Sequence, residues 1–146
     1  RANVGKRVVK SPKVYVRDSG LVHALLGLGD HEAIAGHPVV GASWEGFAIE
    51  NLIASAPERT MASFYRTAAG AEIDLLLELP GGRGLWAVEV KRGLTPHLDR
   101  GFHHARADVR PERCFVVYSG DSRYPLSEEV EAIGLPELAA LLAALQ

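Results

Sequence analysis

Four polar side chains stand in otherwise apolar surroundings in this chain: Glu45, Asp74, Glu89 and Lys91. Glu89-Val90-Lys91 closes the run Leu85-Trp86-Ala87-Val88, and Asp74 sits within Ala71-Glu72-Ile73-Asp74-Leu75-Leu76-Leu77. A carboxylate in a buried strand is costly unless a cation or hydrogen bonds compensate it. Hard oxygen ligands of this kind suit Mg²⁺ or Mn²⁺. Such an ion on Asp74 and Glu89 would lower the pKa of a water and shield the charge that builds on a phosphate. Glu45 could hold a water or a second ion, and Lys91 could orient the nucleophilic water or neutralise the phosphate. That is the chemistry of a Mg²⁺-dependent phosphodiesterase. Taken singly, each residue has a plainer account: Glu89 and Lys91 as a paired polar face on an edge strand, Asp74 as a partner for Arg66 or Arg92.

The elements that must position these groups are legible in the pattern. Pro38 to Ala56 reads as a long helix, with Pro at its first turn and Pro57 after its end. Glu45, Ile49, Leu52, Ile53 and Ala56 share its inward stripe. Three strand-like runs follow, 62–67, 71–79 and 84–91, separated by Ala69-Gly70 and Pro80-Gly81-Gly82. In the third, Glu89 and Lys91 point to one face and Trp86, Val88 and Val90 to the other. Asp74 comes level with Glu89 across the Pro80-Gly81-Gly82 turn if the register allows. A helix over 98–109 is next, then a nearly all-apolar strand over 113–119, as suits a strand covered on both faces. A short strand near 130–133 and a helix over 136–145 close the chain. Upstream, Lys13–Val16 reads as a strand, Gly20–Leu26 as a helix capped by Asp18 or Ser19, and Asp30–Ala35 as a further helical turn.

The 146 residues fit one domain with a sizeable core, and 47% hydrophobic with 23% charged is an ordinary globular balance. No run is long and apolar enough for a membrane span, and no secretory signal opens the chain. The lone Cys114 cannot form an internal disulfide, and a reducing, cytoplasmic compartment is the simplest reading. The start at Arg1, without Met, reads as a fragment of a longer protein, although tag removal would give the same start. The net charge of −2 hides an asymmetry. Arg1, Lys6, Arg7, Lys10, Lys13 and Arg17 meet no acid over 1–17, an arm that reads as a linker and could also follow a phosphate backbone.

Other candidates carry less. Arg66 could contact a phosphate or pair with Asp74, and Arg92 extends the positive charge after Lys91. Arg100, His103, His104 and Arg106 lie on a helix that reads as a solvated face. Adjacent His103 and His104 do not share a helix face, so they make no zinc site. Cys114 reads as a small buried hydrophobe, and Trp44 and Trp86 as packing residues.

Asp74 followed by Glu89-Val90-Lys91 on the next strand resembles the PD-(D/E)xK motif of restriction-endonuclease-like nucleases, with Ile73 where the literal motif has proline. Gly41-Ala42-Ser43-Trp44-Glu45 resembles the glycine and helical glutamate that open archaeal Holliday-junction resolvases. Lys13–Leu21, Gly41–Phe47, Tyr65-Arg66-Thr67 with Gly70–Asp74, and Val88–Lys91 together are similar to an uncharacterised C-terminal domain appended to bacterial and archaeal AAA-type ATPases.

The resemblance implies an α/β fold with a restriction-endonuclease-like mixed four-stranded sheet flanked by helices, in the order αβββαβ. Residues 1–37 would be an N-terminal linker and helical extension, and 38–146 the nuclease-like domain. It further implies Mg²⁺ or Mn²⁺ on Asp74, Glu89 and Glu45, catalysis with Lys91, and weak nucleic-acid contacts from Arg66 and Arg92. The expected activity is hydrolysis of DNA phosphodiesters by an endonuclease domain; the alternative is a non-catalytic module for docking nucleic acid or protein. The expected partners are DNA and an upstream ATPase module, with no membrane and with oligomerisation open. No Gly-x-x-x-x-Gly-Lys-Ser/Thr loop lies within these residues.

Overall fold

A computed structural model of the chain describes residues 39–146. The strand, helix and turn expected over 13–35 lie outside the described residues. The elements run α1 (Val39–Ser55), β1 (Met61–Arg66), β2 (Glu72–Leu79), β3 (Gly84–Val90), α2 (Arg100–Val109), β4 (Arg113–Tyr118), β5 (Tyr124–Ser127), β6 (Val130–Gly134) and α3 (Leu135–Ala143). All six strands form one mixed sheet in the order β1-β2-β3-β4-β6-β5. The β1–β2, β2–β3 and β5–β6 pairs are antiparallel, and β3–β4 and β4–β6 are parallel.

Helices cover both sheet faces, which is why β2, β3 and β4 read as nearly continuous apolar runs rather than as alternations. On one face α1 and α3 bury Ala48, Ile49, Leu52, Leu138 and Leu142 against Leu75, Leu77, Val88 and Phe115. On the other, α2 buries Phe102 and Ala105 against Ile73, Leu76, Ala87 and Val116. Among the described residues no helix is long and apolar enough to cross a membrane.

Local chemistry sets the boundaries. Pro57 follows the end of α1, where a ring in place of an N–H stops the helix. Gly81 and Gly82 take φ of +73° in the β2–β3 turn, a region that side chains disfavour. Asp99 caps α2, and Arg110 ends it in the left-handed region just before Pro111.

Three expectations change. Among the described residues the sheet extends past the four strands of the expected core to six, because β6, expected near 130–133, pairs with β4 and β5 closes against β6. Ile53 is 41% exposed and leaves the inward stripe, which instead holds Ala48, Ile49 and Leu52. The helix expected from Leu98 begins at Arg100, because Asp99 is its cap rather than its second residue.

One close approach ties α2 to the β1–β2 turn. A Cβ at Gly101 would stand 2.5 Å from the Gly70 carbonyl oxygen, a backbone atom that cannot swing away. Gly101→Ala should therefore destabilise the chain by roughly 1–3 kcal/mol. Ala107→Ser, on the exposed side of the same helix, should stay within about 0.5 kcal/mol. Urea unfolding of the two variants checks the difference.

Candidate functional site

The site forms where the β2–β3 ladder stops. Backbone pairing of the two strands ends at Leu75 opposite Val88. Against β1 the register slips: Ser63 faces Leu76, but Tyr65 faces Ile73, so β2 carries an extra residue there. A bulge of this kind bends a strand and re-aims its side chains. Ile73 and Leu76 consequently pack into one cluster, and Asp74 lies in the bulged stretch.

Beyond Leu75 the strands are joined by carboxylates. The Asp74 amide donates to Glu89 Oε1 at 3.2 Å, and the Val90 amide donates to Asp74 Oδ2 at 2.9 Å. Asp74 is 8% exposed and Glu89 5%. Burial, then the charge of Asp74 and the hydrogen bond to it, push Glu89 up to about 9. At neutral pH and without a metal, Glu89 keeps its proton.

Lys91 closes the site on its solvent side. Its Nζ lies 3.5 Å from Glu89 Oε2 and donates to Asp99 Oδ2 at 3.1 Å. Its backbone is held from two elements: the amide donates to the Val117 carbonyl of β4 at 2.8 Å, and the carbonyl accepts from Trp44 Nε1 of α1 at 3.1 Å. Burial works to lower the ammonium's pKa, but the Glu89 carboxylate, the Asp99 hydrogen bond and the charges of Asp99 and Asp74 outweigh it. Lys91 therefore titrates above its ordinary value and stays charged.

The structure thus brings Asp74, Glu89 and Lys91 together. Glu45 is half-buried on α1, next to the Trp44 that holds the Lys91 carbonyl. Among the described residues no group of three His, Cys, Asp or Glu side chains is placed to hold a metal ion. The grouped ligand set is therefore Asp74 with Glu89. Two adjoining buried carboxyl groups, with Glu89 holding a proton, fit a hard divalent cation that would take that proton's place. Mg²⁺ commonly takes one or two protein carboxylates and fills its other positions with water and phosphate.

Arg66 is placed on Glu72 at 3.2 Å, across the β1–β2 pair, and Arg92 is exposed beside Lys91. Arg106 pairs with Glu129 at 2.7 Å, whereas Arg100, His103 and His104 are exposed on α2. Cys114 is buried in β4, and burial pushes its thiol up to about 11, which suits a packing role. Asp99 is the site residue that the sequence pattern passed over. Its signal was present: an Asp directly before a helical run is an N-cap signature.

Residues 40–138 match the family described as a domain of unknown function, DUF4143. Residues 1–32 match another domain of unknown function, DUF8612. Uncharacterized proteins of Mycobacterium tuberculosis (strain ATCC 25618 / H37Rv) and Mycobacterium bovis (strain ATCC BAA-935 / AF2122/97) are each 43% identical to this chain over 132 residues. The matched stretch is 90% of this chain, and the chain spans 29% of the length of these curated relatives. No solved structure matches the chain.

The buried pair gives the metal-free protein a pH dependence of definite sign. Between pH 4.5 and about 9 the folded chain keeps a proton on Glu89 that the unfolded chain has released. Stability therefore falls as pH rises through that window, by roughly 1.4 kcal/mol per pH unit where this group alone differs. Glu89→Gln removes the titration and should flatten the decline. Urea midpoints taken in chelator from pH 5 to pH 9 check it; an equal slope in both proteins would contradict the proton held on Glu89.

Proposed function

The chain belongs to the DUF4143 family, a domain of unknown function, and we propose that it is a divalent-metal-dependent nuclease-like domain that hydrolyses DNA phosphodiesters. The observation that carries this reading is the meeting of Asp74, Glu89 and Lys91 at one end of the β2–β3 pair. The element order α1-β1-β2-β3-α2-β4 is that expected of a restriction-endonuclease-like core. In this reading β5, β6 and α3 are additions to that core.

Asp74 and Glu89 would hold Mg²⁺ or Mn²⁺; Glu45, expected as a further ligand, is not grouped with them. When bound, the ion would supply Lewis acidity at the phosphate and a more acidic water. The chain's own residues do the rest. Lys91 keeps its charge at neutral pH, and its backbone is fixed by α1 and β4. A fixed ammonium beside the carboxylates can orient a nucleophilic water or offset charge on the phosphate oxygens without rearranging. Asp74 and Glu89 are both buried, which strengthens the electrostatic contacts between them. Arg66 and Arg92 would add weaker phosphate contacts.

The chain spans 29% of its mycobacterial relatives, which supports a place within a larger protein. We propose that it is the C-terminal part of an AAA-type ATPase, whose upstream module would position or gate the nuclease. A second reading has a specific observation behind it. Asp74 and Glu89 already satisfy each other and the backbone around them, as in a domain that docks nucleic acid or protein without cleaving it.

Mn²⁺ titration by calorimetry separates the two. The nuclease reading expects binding by the wild type and none by Asp74→Asn. It also expects Mn²⁺-dependent cleavage of plasmid or branched DNA, reduced roughly 100-fold or more in Lys91→Met with Mn²⁺ binding retained. If the wild type binds no Mn²⁺ at millimolar concentration, the docking module is what remains.

A further inference from the structure

We propose that Asp99 is a positioning residue for Lys91, holding its ammonium against Glu89 from the N-terminus of α2, a role that rests on the nuclease-like reading for its purpose. The two oxygens of Asp99 do different jobs. Oδ1 accepts the Phe102 amide at 2.8 Å, and Oδ2 accepts Lys91 Nζ at 3.1 Å. The first bond satisfies one of the amides that every helix start leaves open. The second reaches back to β3.

Exposed ion pairs are usually weak, because two long side chains must both be immobilised. The Asp99 side chain is 58% exposed and that of Lys91 29%, so the usual objection applies. It is answered by what fixes each end. The Asp99 carboxylate is locked by the helix it caps, and that helix is anchored through Phe102, which is fully buried. The close approach of Gly101 to the Gly70 carbonyl sets the first turn of α2 against the β1–β2 turn. On the other side, β4 and Trp44 hold the Lys91 backbone. Only the lysine stem is left free, and Asp99 and Glu89 pin its tip between them.

Asp99 also stays charged. The Phe102 amide, opposed by slight burial and helped by Lys91, holds its carboxyl below the usual range. It does not join Asp74 and Glu89 as a third ligand, since no group of three such side chains forms among the described residues. Its partner is the lysine.

Asp99→Asn and Asp99→Ser keep a good helix cap and remove the anion, so they separate positioning from capping. The full chain contains only Lys6, Lys10, Lys13 and Lys91. Its lysine ammonium signals can therefore be resolved by ¹H–¹⁵N spectroscopy, with Lys91→Met giving the assignment. The expected result is a sharp, slowly exchanging Lys91 signal in the wild type. In both variants its exchange with water should rise by roughly threefold or more, because a charge-assisted hydrogen bond is lost, while thermal melting holds. In Mn²⁺-dependent cleavage, kcat should fall about tenfold with KM for DNA nearly unchanged.

An unchanged Lys91 signal in variants that melt like the wild type would overturn the proposal and leave Asp99 as a cap alone. A wild type that cleaves no DNA, but whose Lys91 signal still depends on Asp99, would uphold the positioning contact and remove the nuclease reading.

Discussion

Two carboxyl groups pressed together away from water cannot both carry charge unless something neutralises one of them. Asp74 and Glu89 are in that position, and the surrounding fold keeps them there. The β2–β3 ladder ends one residue short of them, and their side chains take over the joining of the strands. Pulling them apart would strand two buried amides as well as two carboxyls. The contact is therefore structural in the metal-free chain, whatever further chemistry it performs.

The remaining parts of the site are arranged around that pair in order of wetness. The carboxylates are dry, Lys91 is partly open and Asp99 faces solvent. Each is fixed by a different element: a bulge in β2, the parallel partner β4, an indole from α1 and the first turn of α2. A site assembled from four elements needs no long loop to hold its geometry. It depends instead on the sheet ending where it does. In the proposed nuclease, a phosphate arriving from solvent would meet the ammonium before the acids.

Much of this arrangement can be read in the amino-acid order. Helical spacing, apolar strand runs and turn residues place α1, the first four strands and α2 to within a few residues, whereas the register that sets Asp74 beside Glu89 comes from the β2–β3 pairing. Other features depend on contacts that the order does not show. β5 is four residues long, contains Pro125 and has little apolar signal, so only its pairing with β6 defines it. The β2 bulge turns Ile73 and Leu76 into one cluster, and Arg66 goes to Glu72. Ile53 lies at the rim of its stripe, where small differences in helix rotation decide burial. Asp99 was hidden by a two-residue error in where a helix begins, and that error conceals a cap and an ion pair together.

The proton kept on Glu89 and the cation proposed for the pair answer the same electrostatic need. Both neutralise a buried acidic pair, and both require the same oxygens, so they compete. A divalent cation would displace the Glu89 proton and give the second carboxylate a charge to pair with, beside a lysine held from two directions. An acid kept neutral until a cation arrives suits the proposed metal site.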